Sequence, residues 1–124
     1  MKFARRLTPL EKRARRGFRG YPVGTVAFYG PDNTRATKVA VGVVPAKNAE
    51  PTYLERWFSG DRDVRTDAAI GKAIVDFLRA HEVRSLALGD GIIGCPHEEG
   101  VDYPEGQACL RCPFWAGRDR WAES

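Results

Sequence analysis

The sequence has 124 residues, of which 43% are hydrophobic and 29% are charged. A chain of this length and composition is typical of one soluble globular domain, and it excludes a fibrous or largely disordered protein. No apolar run approaches the ~20 residues that cross a bilayer, and the charged N-terminus is unlike a secretory signal. We therefore predict a cytoplasmic protein with no membrane partner. Fifteen arginines against five lysines favour a bacterial origin.

The net charge of +4 is concentrated at the N-terminus. Residues 1–20 carry eight basic residues and one acidic residue, a net charge of +7, which leaves −3 for the other 104 residues. Within this segment Thr8, Pro9 and Glu11 form the pattern of a capping box, which predicts a short helix from Pro9 to about Arg16. A helix this short is marginal in water, so we predict a flexible basic arm unless the helix docks on the rest of the protein.

Three strands are predicted after the arm. The β-branched and aromatic runs TVAFY (25–29) and TKVAVGVV (37–44) are separated by the turn-forming segment GPDNTRA, which predicts an antiparallel hairpin. The segment TYLERWFS (52–59) alternates between two faces and predicts a third strand.

One long helix and a fourth strand follow. The segment DAAIGKAIVDFLRAH (67–81) places apolar side chains on one face at helical period, at Ile70, Ile74, Phe77 and Leu78. The short apolar run VRSLALG (83–89) then predicts a buried strand. Three strands, a helix and a strand predict an α+β core over residues 21–90, with a small antiparallel or mixed sheet and one main packed helix.

The C-terminal segment, residues 91–124, contains all three cysteines among many glycines and prolines. In a reducing cytosol a close cysteine pair binds metal more often than it forms a disulfide. Zinc in structural sites takes four nitrogen or sulfur ligands from two tight turns. We therefore predict a structural Zn²⁺ site packed on the core, formed by Cys95, His97, Cys109 and Cys112.

This ligand pattern resembles that of a zinc ribbon or zinc knuckle, because two residues separate the second pair of cysteines. The first turn, C-x-H, is tighter than usual, so the fourth ligand is open at this stage. Glu98, Glu99 or Asp102 could replace His97.

The residues His97-Glu98-Glu99 followed by Cys109-x2-Cys112 also resemble the zinc deaminase pattern H-x-E and P-C-x-x-C. That resemblance implies a glutamate that shuttles protons for a zinc-bound water. Ala108 stands where that family has proline, however, and Cys95 offers a fourth ligand that would close the coordination sphere. We therefore favour a structural site over a hydrolase or deaminase site.

The order of the elements is also similar to the start of the ribonuclease H-like fold. That resemblance implies a metal-binding carboxylate at Asp90, just past the fourth strand. The predicted first strand has no acid to match the leading aspartate of that family, and Asp32 lies beyond it in the turn. The simpler interpretation makes Asp90 a turn residue in the Gly89-Asp90-Gly91 bend.

The favoured hypothesis is a non-catalytic zinc-binding accessory protein. Its basic arm would contact the phosphates of nucleic acid without reading sequence, with RNA in a larger complex as one candidate, while its body would bind a protein partner. The predicted nucleic-acid contacts are Arg5, Arg6, Lys12, Arg13, Arg15, Arg16 and Arg19. The alternative is a protein-interaction adaptor that does not bind nucleic acid.

Overall fold

The structure is a computed structural model that describes residues 8–107 and 109–115, except for the side chain of Asp90. Its elements are, in chain order, α1 (Pro9–Arg15), β1 (Val23–Tyr29), β2 (Lys38–Val44), β3 (Tyr53–Phe58), α2 (Ala68–Ala80) and β4 (Ser85–Ile92). Two short 3-10 helices cover Val64–Thr66 and Pro113–Trp115. In the described part of the chain, no helix has the length and apolar character needed to span a bilayer.

The four strands form one mixed sheet in the order β3-β2-β1-β4. The predicted hairpin is confirmed, because β1 pairs antiparallel with β2, and β3 continues the antiparallel pairing on the far side of β2. β4 instead lies parallel to β1, so α2 is the connection that returns the chain to the sheet. The predicted α+β class with a mixed sheet is therefore confirmed.

The core lies between the sheet and the helices. Val39 and Val41 of β2 are fully buried, and they share one apolar cluster with Ile74 and Leu78 of α2. The apolar face predicted for α2 thus packs on the sheet as expected for an amphipathic helix. Gly24 of β1 permits this contact, because a Cβ there would lie 2.7 Å from a methyl group of Leu78.

The basic segment forms its predicted helix, and this helix is docked. Thr8 and Glu11 make the reciprocal bonds of a capping box. Leu10 is buried in the core cluster, and α1 contacts both β4 and α2. Packing of this one leucine gives α1 the tertiary support that a helix of seven residues lacks in isolation.

The prediction of a turn at Gly89-Asp90-Gly91 was wrong, because β4 continues through these residues to Ile92. Two features allow the strand to continue. The register of β4 against β1 shifts between Val26 and Phe28, and Gly91 has a φ of 74°, as at a β-bulge. Gly89 lets the carbonyl of Val26 approach to within 2.8 Å of where a Cβ would stand.

Asp63 joins the loop before α2 to the hairpin. Its carboxylate accepts hydrogen bonds from the backbone N–H groups of Arg65 and Ala36, and it pairs with the Arg65 guanidinium at 2.7 Å. The hydrogen bonds from the Arg65 side chain are the main reason that the pKa of Asp63 lies below its ordinary value.

We expect Asp63→Asn to lower the free energy of unfolding by about 0.5–1 kcal/mol at neutral pH, because the ion pair is lost while the cap remains. A pKa that is lower in the folded state stabilises the protein above the unfolded pKa, about 3.9, and this stabilisation disappears as the pH falls through the folded value. Urea unfolding at neutral and at acidic pH measures the difference. A difference of the same size at both pH values would contradict this role.

Candidate metal centre

The candidate metal centre brings together one atom from each of four side chains: Cys95, His97, Cys109 and Cys112. These four ligand atoms all lie within 4.8 Å of one another, and the three thiols are free. Cys112 is buried and the other three residues are half-buried. The sequence prediction thus selected four residues that the fold does place in one cluster.

The distances within the cluster agree with a tetrahedral site. The Nδ1 atom of His97 lies 3.2, 3.4 and 3.5 Å from the sulfur atoms of Cys95, Cys109 and Cys112. Bond lengths of about 2.3 Å to sulfur and about 2.0 Å to nitrogen put a tetrahedral N–S edge at roughly 3.5 Å. The imidazole therefore faces all three sulfurs through Nδ1.

The first metal turn, residues 94–97, continues directly from the end of β4. The N–H of Ile93 donates to the carbonyl of Phe28, and the carbonyl of Gly94 accepts from the N–H of Gly30. The turn then brings the His97 N–H to within 3.3 Å of the Cys95 sulfur. The one-residue spacing between Cys95 and His97 is thereby accommodated.

The second metal turn, residues 109–112, is held at the same place on the sheet. Cys112 leads into the 3-10 helix that ends at Trp115, and the indole N–H of Trp115 donates to the carbonyl of Gly30 at 2.7 Å. The first metal turn and the 3-10 helix after the second are therefore both hydrogen-bonded to Gly30, which lies just past the end of β1.

Each of the three carboxylates that could replace His97 has another partner. Glu98 pairs with Lys38 and Arg56, Asp102 accepts from the N–H of Glu98, and Glu99 accepts from the N–H of Gly106. These bonds fold the loop between the two metal turns, and the carboxylates are not members of the Cys/His cluster.

The thiols are crowded and partly removed from water. Burial is the main reason that the pKa values of Cys95 and Cys112 lie above the ordinary thiol value, and the neighbouring thiols add to the increase at Cys95. Desolvation disfavours an isolated thiolate, and a metal cation supplies the positive charge that compensates it. The donor set of three sulfurs and one imidazole fits zinc and other soft or borderline metals.

Lys38 is a residue that the sequence analysis did not connect with this site. It is only 4% exposed, and its amine donates to the carbonyl of Pro96 at 3.0 Å and to Glu98 at 2.8 Å, one residue on each side of His97. The amine also lies over the rings of Tyr29 and Phe58. A charged residue at the start of the apolar strand β2 was the only signal in the sequence.

We expect Lys38→Met to lower the free energy of unfolding by about 1–2 kcal/mol and to weaken metal binding, because the Pro96 carbonyl and Glu98 lose a buried donor. Competition with a metal-binding dye and urea unfolding measure the two effects. Lys72→Met is the matched control, since Lys72 is exposed and its ion pair among the described residues is an i,i+4 pair with Asp76. Equal effects of the two substitutions would contradict the role of Lys38.

No family model, curated protein or solved structure matches this chain.

This geometry gives little support to a zinc deaminase-like or a ribonuclease H-like site. Glu99, the counterpart of the deaminase glutamate, bonds to a loop N–H instead of facing the cluster. β1 reads VGTVAFY and carries no acid, and Asp32 bonds to Thr34 in the following turn. Asp90 lies in β4, and its side chain is outside the described part of the structure.

The structure describes five of the seven predicted nucleic-acid contacts, because Arg5 and Arg6 lie outside the described residues. The five lie in α1 or in the segment that follows it: Lys12, Arg13, Arg15, Arg16 and Arg19. Among described residues none of these five side chains forms an ion pair with a carboxylate. The N–H of Arg19 also donates to the Ser85 hydroxyl, which ties the end of this segment to β4.

Proposed function

We propose that this chain is a non-catalytic, cytoplasmic accessory protein in which Cys95, His97, Cys109 and Cys112 hold a structural Zn²⁺ ion. The basic N-terminal segment contacts the phosphates of nucleic acid, and the body binds a protein partner. The observation that carries the proposal is the convergence of three sulfurs and one imidazole nitrogen within 4.8 Å.

A structural role for the metal is supported by the number of ligands. Four protein ligands complete a tetrahedron and leave no position for the water that a catalytic zinc activates. The site also lies in a segment with little apolar burial of its own. Cys112 is its only buried hydrophobic residue within the described range, and Val101 and Leu110 are exposed. Metal binding would supply the ordering free energy that this segment lacks.

Nucleic-acid binding is supported by the charge distribution. The first 20 residues carry +7 and the remainder carries −3, so attraction to a polyanion must come from one side of the molecule. Guanidinium groups that are not engaged by carboxylates are available to phosphate oxygens. Contacts of this kind fix the protein on a nucleic acid without selecting a sequence.

Binding of a protein partner is supported by strand β3. This strand lies at one edge of the sheet, and Tyr53, Leu54 and Phe58 are 52%, 52% and 63% exposed. An edge strand offers unpaired backbone groups to another chain, and exposed apolar side chains next to it add area that can be buried.

The nucleic-acid part of the proposal can be tested by fluorescence anisotropy with labelled RNA and DNA oligonucleotides. Deleting the segment would expose the core around Leu10, so the charges are removed by substitution, in Lys12→Gln/Arg15→Gln/Arg16→Gln. The control removes three charges elsewhere, in Arg35→Gln/Lys47→Gln/Lys72→Gln. We expect the first variant to bind much more weakly than the control. The slope of its log binding constant against log salt concentration should be smaller by about 0.7–0.9 for each phosphate that the protein no longer neutralises.

Two results would contradict this part of the proposal. One is wild-type binding that does not change between low and moderate salt. The other is wild-type protein that binds neither RNA nor DNA at low salt, which would favour the protein-interaction adaptor.

A further inference from the structure

Three arginines at the ends of the two contacting helices α1 and α2 are near enough for their charges to act on Arg13. Arg13 and Arg16 are three residues apart, so they project from the same side of the end of α1. Arg79 belongs to the last turn of α2, and α1 contacts α2. We refer to Arg13, Arg16 and Arg79 as the arginine cluster.

The positive charges of the cluster act on one another. Burial lowers the pKa of the Arg13 guanidinium, and the positive charges of Arg79 and Arg16 lower it further. None of the three forms an ion pair with a carboxylate in the described part of the chain. Like charges held together on a folded surface without a counter-charge destabilise the protein unless an anion joins them.

Further positive charge lies at the same end of the molecule. α2 ends just before β4 begins, and the N–H of Arg84 donates to the carbonyl of Pro22, immediately before β1. The Arg84 guanidinium lies 3.5 Å from where a Cβ on Gly20 would stand. Glu82 is the acidic residue in this part of the chain, and it forms no ion pair with a described residue. The end of the sheet at which β1 and β4 begin is therefore predominantly basic.

We propose that the arginine cluster binds a phosphodiester group of a nucleic-acid backbone, with Arg79 completing a site that the N-terminal segment cannot form alone. This inference rests on the proposed nucleic-acid function and deepens it. Planar guanidinium groups donate paired hydrogen bonds that match phosphate oxygens, and three of them together can surround one anionic group. The contact surface is then a composite of α1 and α2 that exists only while α1 is docked.

The site is tested with Arg79→Gln in the full, zinc-loaded chain, with Arg35→Gln as the control. Arg35 is an exposed arginine in the β1–β2 loop, at the opposite end of the sheet. Binding is measured by fluorescence anisotropy with a labelled RNA oligonucleotide and a labelled DNA oligonucleotide. Arg79→Gln should weaken binding roughly five- to tenfold, and the slope of the log binding constant against log salt concentration should be smaller by about 0.7–0.9. Arg35→Gln should leave both quantities near wild type. Arg79→Gln should also unfold at the same or a higher temperature, because a like-charge contact is relieved.

Three outcomes would overturn the inference, and they are distinguishable. If Arg79→Gln binds like Arg35→Gln while Arg15→Gln and Arg16→Gln still weaken binding, the composite site is wrong and the proposed function stands. If wild-type protein binds neither oligonucleotide and no anionic vesicle, the proposed function fails as well. If wild-type protein binds vesicles of anionic phospholipid but neither oligonucleotide, the cluster recognises a membrane surface and not a nucleic acid.

Discussion

Removal of the metal with a chelator is expected to lower the free energy of unfolding by about 4 kcal/mol, relative to protein kept at free zinc roughly a thousand times the dissociation constant. The loss should be concentrated in residues 93–115, whose hydrophobic side chains contribute little burial apart from Cys112. The sheet and α2 should remain folded, because the core cluster contains residues of the helices, the strands and the loop before α2 but none of the metal ligands. Hydrogen exchange measures both regions at once.

Two substitutions of one ligand sharpen this prediction. His97→Cys keeps four ligands and should retain a bound metal and the protection of the loop, whereas His97→Ala should reproduce the chelated protein without chelator. If the chelator leaves both the unfolding free energy and the exchange of residues 93–115 unchanged, the metal does not stabilise this segment.

Gly30→Ala is expected to have the second-largest effect, a loss of about 2–3 kcal/mol together with weaker metal binding. A Cβ on Gly30 would lie 1.9 Å from the backbone carbonyl oxygen of Arg35, so the backbone must move. The same residue donates to the carbonyl of Gly94 and accepts from the indole of Trp115. Its displacement therefore loosens both metal turns.

Gly71→Ala is the matched control for this substitution. Gly71 lies inside α2 and nothing approaches within 4 Å of the position of its Cβ, so alanine should stabilise the helix by up to about 1 kcal/mol. Urea unfolding and zinc titration should show the two glycine substitutions changing stability in opposite directions. Gly30→Ala with wild-type stability and metal affinity would show that Gly30 does not anchor the metal turns.

Local patterns in the sequence were sufficient to predict the two α-helices, the four strands apart from the end of β4, and the Cys/His cluster. The apolar spacing of Ile74 and Leu78 predicts α2, Thr8 and Glu11 predict the start of α1, and the cysteine spacing selects the cluster. Each of these signals lies within a few residues of the feature that it predicts, because side chains one helical turn or one tight turn apart act on the same backbone.

Features that depend on distant residues could not be read in this way. The parallel pairing of β4 with β1 joins residues about 60 positions apart, and no local pattern of Ser85–Ile92 specifies it. Lys38 and Gly30 position the metal turns from other parts of the chain. Leu10 is one apolar residue in a basic segment, so its burial against the core, and with it the docking of α1, was not apparent from charge and helix length.

X-ray absorption at the zinc edge, on protein purified without added chelator, examines the coordination directly. We predict one zinc ion per chain, coordinated by three sulfurs at about 2.3 Å and one imidazole nitrogen at about 2.0 Å. Protein that contains no metal, or a zinc ion with water or carboxylate oxygen in place of one of these ligands, would contradict the structural site.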